Sequence, residues 1–323
     1  MKILLRVVVV IVCSAAPLLA QKQAISERNV RAEMNFLASD AMQGRGSAGP
    51  YERVAAEYIG SQFMQFGLEP VGDAGFDGKP TYVQAVAFKS RGGEDRKTYN
   101  AIGKIVGSDK TLRPQVILIS AHLDHLGVRD TAPGDDKIFN GADDDASGSI
   151  AVLEIARTLA SARIKPKRTV YFVCFGSEEI GGYGANYFVN NLPFAKDKLV
   201  ANLEFEMMGR PDTAVKPDEL WLTGYERSNL GPQLAKRGAK LVQDPHPEQQ
   251  FFRRSDNYTL AKQGIIAHTV SSYGLHTDYH KVSDEIKTID FGHMTKSINS
   301  MVAPIQWLVN SNFVPAWNEG KKP

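Results

Sequence analysis

The chain has 323 residues, 43% of them hydrophobic and 23% charged, with a formal net charge of +2. That length and apolar share suffice for a large buried core and exclude a disordered, collagen-like or low-complexity polypeptide. The near balance of charge, with no basic run beyond KPKR at 165–168, gives nucleic-acid binding no electrostatic support.

Residues 1–20, MKILLRVVVVIVCSAAPLLA, join a basic start at Lys2 and Arg6 to an apolar run and then small residues. This is the pattern of a secretory signal peptide cleaved before Gln21, and it predicts a secreted or periplasmic protein with no membrane attachment once the signal is removed. Without that segment, 36 basic residues balance 36 acidic ones, and Cys174 is the one remaining thiol. A single thiol cannot form an internal disulfide, so the core and any bound metal must hold the exported chain together.

Apolar residues recur at helical spacing over Glu27 to Leu37 and again over Glu52 to Phe66, joined by the Gly-rich loop SDAMQGRGSAGP. From Gly67 to Lys97 the chain is rich in Gly, Asp and Pro and reads as irregular surface. Six apolar runs then read as buried strands: YNAIGKIVG, QVILISAHL, RTVYFVCFG, LVANLEFEM, ELWLTG and GIIAHTVSS. Helical patterns over Ala146 to Ala162, Asn229 to Arg237 and Phe291 to Val309 separate or follow them. The alternation predicts an α/β fold in which a mostly parallel, mixed central sheet is covered by helices on both faces. There is no internal repeat and no second strand-helix series, so residues 21–323 are expected to form a single catalytic domain.

In such sheets, sites form at the carboxyl ends of strands. His122, Asp124 and His125 follow QVILIS, Glu178 and Glu179 follow RTVYFVCF, Glu204 and Glu206 end LVANLEFE, and His276, Asp278 and His280 follow GIIAHTVSS. Asp143, Asp144 and Asp145 stand at the mouth of the helix from Ala146. Capping accounts for one or two of these three carboxylates; the third adds repulsion and calls for a cation nearby. His nitrogens and carboxylate oxygens without a Cys set suit an open, catalytic zinc site, and one bridging carboxylate can hold two cations together. The spacing of DDDASG is not that of an EF-hand calcium loop. Neither FGSEE nor ASGSI is a G-x-S-x-G elbow, which argues against a serine hydrolase.

SAHLDHLG, NGADDDASG, GSEEIGGYG, NLEFEMMGR and LHTDYHKVSDE, in that order, resemble the five metal-site motifs of the two-zinc exopeptidases. That family contains bacterial leucyl aminopeptidases, glutamate carboxypeptidases and transferrin-receptor-like proteins. The resemblance extends from LASDAMQGR through VSDE. It implies a zinc-exopeptidase-like fold, two zinc ions per chain and a peptide substrate. His122 and Glu206 would hold one metal, Glu179 and His280 the other, and Asp144 would bridge them. Glu178 matches the general base and Asp124 the carboxylate that orients His122, with Asp284 in a similar part near His280. Glu206 stands where Asp is frequent in the family, and the register of EMMGR selects it over Glu204. Asn257 replaces what is often a His.

Outside that set, His125 and His276 are expected in loop packing or in contact with ligands rather than on metal, His246 and His293 at the surface, and His268 and Cys174 in the core. Tyr273, Tyr279 and Arg254 are candidate oxyanion stabilisers by position, with packing or surface roles as the plain alternative. The predicted activity is release of N-terminal residues from peptides. A carboxypeptidase, a glutaminyl-cyclase-like enzyme or a non-catalytic relative of the same fold are the alternatives.

Overall fold

A computed structural model describes residues 25–323; the expected signal peptide at 1–20 lies outside the described residues. The strands, in chain order, are β1 (Glu69–Pro70), β2 (Val83–Lys89), β3 (Asp95–Ile105), β4 (Val116–His122), β5 (Gly127–Val128), β6 (Ile138–Phe139), β7 (Thr169–Phe175), β8 (Leu199–Phe205), β9 (Leu220–Leu222), β10 (Leu241–Gln243) and β11 (Ala267–Ser271). The helices are α1 (Glu27–Leu37), α2 (Pro50–Phe66), α3 (Gly148–Ser161), α4 (Tyr183–Asn190), α5 (Leu230–Ala235), α6 (Asp256–Ala261) and α7 (Phe291–Asn310).

Nine strands form one mixed sheet in the order β1-β3-β7-β4-β8-β11-β9-β10, with β2 on the edge of β3 beside β1. At its centre β7, β4, β8 and β11 are mutually parallel neighbours. The flanks reverse direction, since β3 runs antiparallel to β7 and β9 antiparallel to β11. Burial on both faces explains the unbroken apolar runs of the central strands, because alternate side chains of a strand point to opposite faces. Ile117, Ile119 and Ala121 of β4 and Val170, Phe172 and Cys174 of β7 pack with α1, α2, α3 and α7. Val116 and Leu118, with Tyr171, Val173 and Phe175, pack with α4 and α6.

Local signals set the helix ends. Pro50 opens α2 with a preset φ, and Gly67 closes it in the left-handed region at φ +81°. The Asp290 carboxylate caps α7 by accepting the His293 N–H at 2.9 Å. Among the described residues, no helix is long and apolar enough to cross a membrane.

The segment Gly67 to Lys97, expected from its composition to be irregular, instead contains β1, β2 and the start of β3. Strand β2 sits at the sheet edge with Val86 as its one buried side chain, and its apolar stretch Ala85 to Phe88 is short and set in a Gly-, Asp- and Pro-rich segment. Helices α4 and α6, which no pattern singled out, are only 8 and 6 residues long.

The loop after α1 contributes a buried tie. Arg45, 1% exposed, donates to the carbonyls of Leu37 at 2.6 Å, Leu123 at 2.9 Å, Asn140 at 2.7 Å and Gly141 at 2.8 Å. One guanidinium thus joins α1, the end of β4 and the approach to α3. Arg45→Met should strand these carbonyls and lower unfolding free energy by about 3 kcal/mol or more, since each unsatisfied buried group costs roughly 1–3 kcal/mol; urea denaturation checks this.

Candidate metal centre

The four adjacent parallel strands end on the same edge of the sheet, and each delivers part of one cluster. His122 is the last residue of β4, Glu178 and Glu179 lie in the turn after β7, Glu206 directly follows β8, and His280 lies in the loop after β11. Asp143, Asp144 and Asp145 occupy the turn that leads into α3.

Two sets of ligand atoms share Asp144. His122, Asp144 and Glu206 place one ligand atom each within 4.8 Å of the others, and so do His125, Asp144 and Glu179. His122 Nε2 is 3.2 Å from Asp144 Oδ1. On the other side, His280 Nε2 lies 3.1 Å from both Asp144 Oδ2 and Glu179 Oε2. His125, expected in loop packing or in contact with ligands, belongs to the second group, with Nδ1 2.8 Å from Glu179 Oε1 and 3.8 Å from Asp144 Oδ2. The 2.8 Å contact is out of line for a hydrogen bond. Its sequence signal was present but weak: a third polar residue, one past Asp124, in the same strand-end loop.

These residues fit divalent cations. His122 Nδ1, both ring nitrogens of His125, Asp144 Oδ2 and Glu179 Oε1 are buried without a hydrogen-bond partner, which is costly unless something else satisfies them. Burial and the carboxylates of Glu204 and Asp144 push Glu206 up to about 8, against the pull of His122. Burial, with Asp256, Glu206 and Glu179 nearby, likewise drives Glu178 well above the usual carboxylate range. Asp144 goes the other way: burial opposes its charge, but His122 and His280 hold its carboxyl well below the ordinary value. Crowded carboxylates facing imidazoles are a donor set suited to zinc.

The surrounding carboxylates bind backbone. Asp145 accepts the N–H groups of His122 at 3.2 Å, Gly148 at 3.0 Å and Met207 at 3.1 Å. Asp143 accepts from Gly209 N at 2.7 Å and pairs with His276 Nε2 at 2.9 Å. Asp124 lies 3.7 Å from His122 Nδ1 and accepts the Glu178 N–H at 3.0 Å and the Ser47 hydroxyl at 2.5 Å. Asp284 sits under the bridging turn rather than on His280, receiving Asp143 N at 3.0 Å and Asp144 N at 3.1 Å. Glu204 is separated from the metal set by its own bonds, from Asn257 N at 2.6 Å and Thr269 Oγ1 at 3.0 Å.

Glu52 on α2, which no motif pointed to, supports the Glu178 turn. It is fully buried and accepts the hydroxyls of Thr98 and Ser177, each at 2.9 Å. Ser177 precedes Glu178 with φ at +60°. Burial and the charge of Asp124 raise the Glu52 carboxyl to about 8.

Other residues settle as follows. His268 is a core imidazole between Ser228 Oγ and the Thr223 carbonyl, each at 2.7 Å, and burial lowers it to about 4. His293 is buried rather than at the surface, 3.0 Å from Ser272 Oγ, because its turn of α7 faces the core. His246 is half-buried against Asp212 at 2.8 Å. Cys174 is fully buried, and burial pushes its thiol to about 12, so it is inert. Tyr273, Tyr279 and Arg254 line one pocket that begins at Glu206 and includes Met207, Trp221 and Phe251.

Residues 100–304 match the model of Peptidase family M28, and the chain belongs to that family. It is 37% identical over 115 residues to leupeptin-inactivating enzyme 1 of Streptomyces exfoliatus, a match that covers 35% of this chain and 23% of that protein. The chain spans between 23% and 37% of the length of the first curated relatives it matches. Among solved structures, an aminopeptidase from Aneurinibacillus sp. strain AM-1 superposes with a TM-score of 0.66 at 15% identity, over 90% of this chain and 96% of that one. Porphyromonas gingivalis glutaminyl cyclase gives 0.66 at 18% identity, over 89% and 100%. The equal scores establish the fold and leave function to the site.

Because Asp284 fixes the two amides that aim Asp144, Asp284→Ala should weaken metal binding by about 10–100-fold, the usual cost of removing a partner behind a ligand. Competition against a fluorescent zinc chelator measures this directly.

Proposed function

We propose that residues 21–323 form an exported two-zinc aminopeptidase that releases N-terminal residues from peptides. The observation that carries this reading is the pair of His/carboxylate groups sharing Asp144, with Glu178 next to Glu179 on the same turn. His122, Asp144 and Glu206 would hold one zinc ion, and Asp144, Glu179 and His280 the other, with His125 against Glu179. Two zinc ions held there would acidify a water and polarise the scissile carbonyl. Glu178 takes the proton of the attacking water and hands it to the leaving amine, a role suited to a carboxyl whose pKa lies above the ordinary range. Asp124 fixes that base through its main chain, since it accepts the Glu178 N–H.

The second cation group favours this reading over a single-zinc cyclase. The arginines bear on which peptide end is read. Arg210 is committed to Asp278 at 2.7 Å, no arginine lies between Gly264 and His280, and Arg253 and Arg254 are exposed, so neither offers a buried partner for a C-terminal carboxylate. The carboxylate-rich centre suits a substrate ammonium instead.

Elemental analysis should give two equivalents of zinc, with activity lost on chelation and restored by zinc; one equivalent in a fully active preparation would favour the single-metal reading. Glu178→Gln should keep both metals and lose about 10²–10⁴ in kcat; metal loss in that variant would make Glu178 a ligand. Acetylation of the peptide N-terminus should abolish cleavage while C-terminal amidation changes little, and the reverse pattern would identify a carboxypeptidase. Cys174→Ser should leave turnover nearly intact, because no thiol takes part.

A further inference from the structure

The pocket that opens beside Glu206 is narrow, a cavity of about 30 Å³ beneath an open mouth, too small for a length of peptide. Its walls are aromatic and mutually braced: Trp221 stacks on Phe251 at 5.3 Å between ring centroids, Phe251 meets Tyr273 at 5.7 Å, and Tyr273 meets Tyr279 at 5.4 Å. Trp221 is pinned from behind, its indole N–H donating to Asp212 at 3.0 Å. Tyr279 in turn stacks on His280 at 3.9 Å, so the pocket and the metal centre share a wall. On the aminopeptidase reading, a side chain next to a carbonyl held at that centre would meet these rings at the pocket mouth.

Arg254 is the exception in this lining. Its guanidinium lies over the rings of Phe251 at 4.9 Å and Tyr279 at 5.9 Å, and donates to Gln249 Oε1 at 3.3 Å and Tyr279 OH at 3.4 Å. Among the described residues no carboxylate pairs with it, whereas Arg210 close by is neutralised by Asp278. The flanking rings hold the cation at the mouth without cancelling it, so a substrate pays little to order it. The hydroxyls deeper in the pocket are committed: Thr223 Oγ1 accepts Thr269 N, Thr269 Oγ1 donates to Glu204, and Ser271 Oγ accepts Tyr273 N. Arg254 is then the uncommitted charge that an entering side chain meets. The carboxylates near it face elsewhere, Glu206 into the metal centre and Asp212 onto Trp221 and His246.

We propose that Arg254 is a specificity-determining residue that makes the pocket prefer acidic over basic side chains at the substrate's N-terminal residue. This rests on the aminopeptidase reading above. A side-chain carboxylate completes the ring-held guanidinium, whereas an ammonium or guanidinium is repelled by it and finds no free carboxylate at the pocket mouth.

The test compares kcat/KM for the p-nitroanilides of glutamate and lysine, which lack a C-terminal carboxylate, so that any charge preference comes from the side chain. The zinc-loaded wild-type enzyme should favour glutamate. Arg254→Glu should shift the glutamate-to-lysine ratio toward lysine by about tenfold or more. Four exposed charge contacts change together, and each is worth about twofold in rate. Arg254→Met, which keeps the length of the side chain and its cover over the rings, should give an intermediate ratio and serves alone if the glutamate variant fails to fold. A ratio that favours lysine in the wild type, or that is unchanged in Arg254→Met, overturns the proposal. Arg254 acting only on the oxyanion would lower both rates and leave their ratio where it was. If the zinc-loaded enzyme cleaves no free aminoacyl anilide, leucine included, the aminopeptidase reading fails instead.

Discussion

Three backbone amides converge on the Asp145 carboxylate, and the geometry of the centre depends on that convergence. The amides belong to the end of β4, the start of α3 and the second residue after β8; His122 is itself a candidate ligand, Glu206 precedes Met207, and Asp144 adjoins the accepting Asp145. A carboxylate is suited to this because it accepts several N–H groups at once and these bonds are charge-assisted. Strand ends and helix starts leave amides without partners, and here those loose donors are what fix the positions of the loops.

The same device recurs around the cluster. Asp284 binds the turn that aims Asp144, Asp143 binds Gly209, and Asp124 binds the Glu178 turn. An outer layer of acids on amides thus surrounds an inner layer of acids and imidazoles that suits cations. Arg45 is the positive element of the outer layer, yet it spends its donors on carbonyls and acts on the carboxylates only at a distance. On the two-zinc reading proposed above, metal would balance the carboxylates of this interior, and folding of these loops would be coupled to metal loading.

Much of this was legible in the sequence. Strands buried on both faces write themselves as unbroken apolar runs, and polar residues that interrupt those runs at the carboxyl ends mark the site, which is why His122, Glu179 and Glu206 stood out. The triplet at 143–145 was legible as an excess over what capping needs. What stayed hidden depends on contacts distant in sequence. Glu52 resembles any helix-surface glutamate until α2 packs on β3 and brings it to Ser177. Arg45 sits in a Gly-rich loop that gives no sign of burial. Asp284 lay within a motif, but nothing in its spacing says that it binds amides 140 and 141 residues away instead of a nearby imidazole. Strand β2 was missed because an exposed edge has little to bury.

The reversal of direction between β11 and β9 divides labour within the sheet. The metal-facing residues come from strands on one side of that seam, whereas Trp221, Thr223 and Phe251 come from β9 and the short turns beyond it. Loops on the far side can change length and composition without moving an inner carboxylate. Such a layout leaves the far wall of the pocket open to exchange, by drift or by engineering, while the wall of Glu206, Tyr273 and Tyr279 stays tied to the candidate centre.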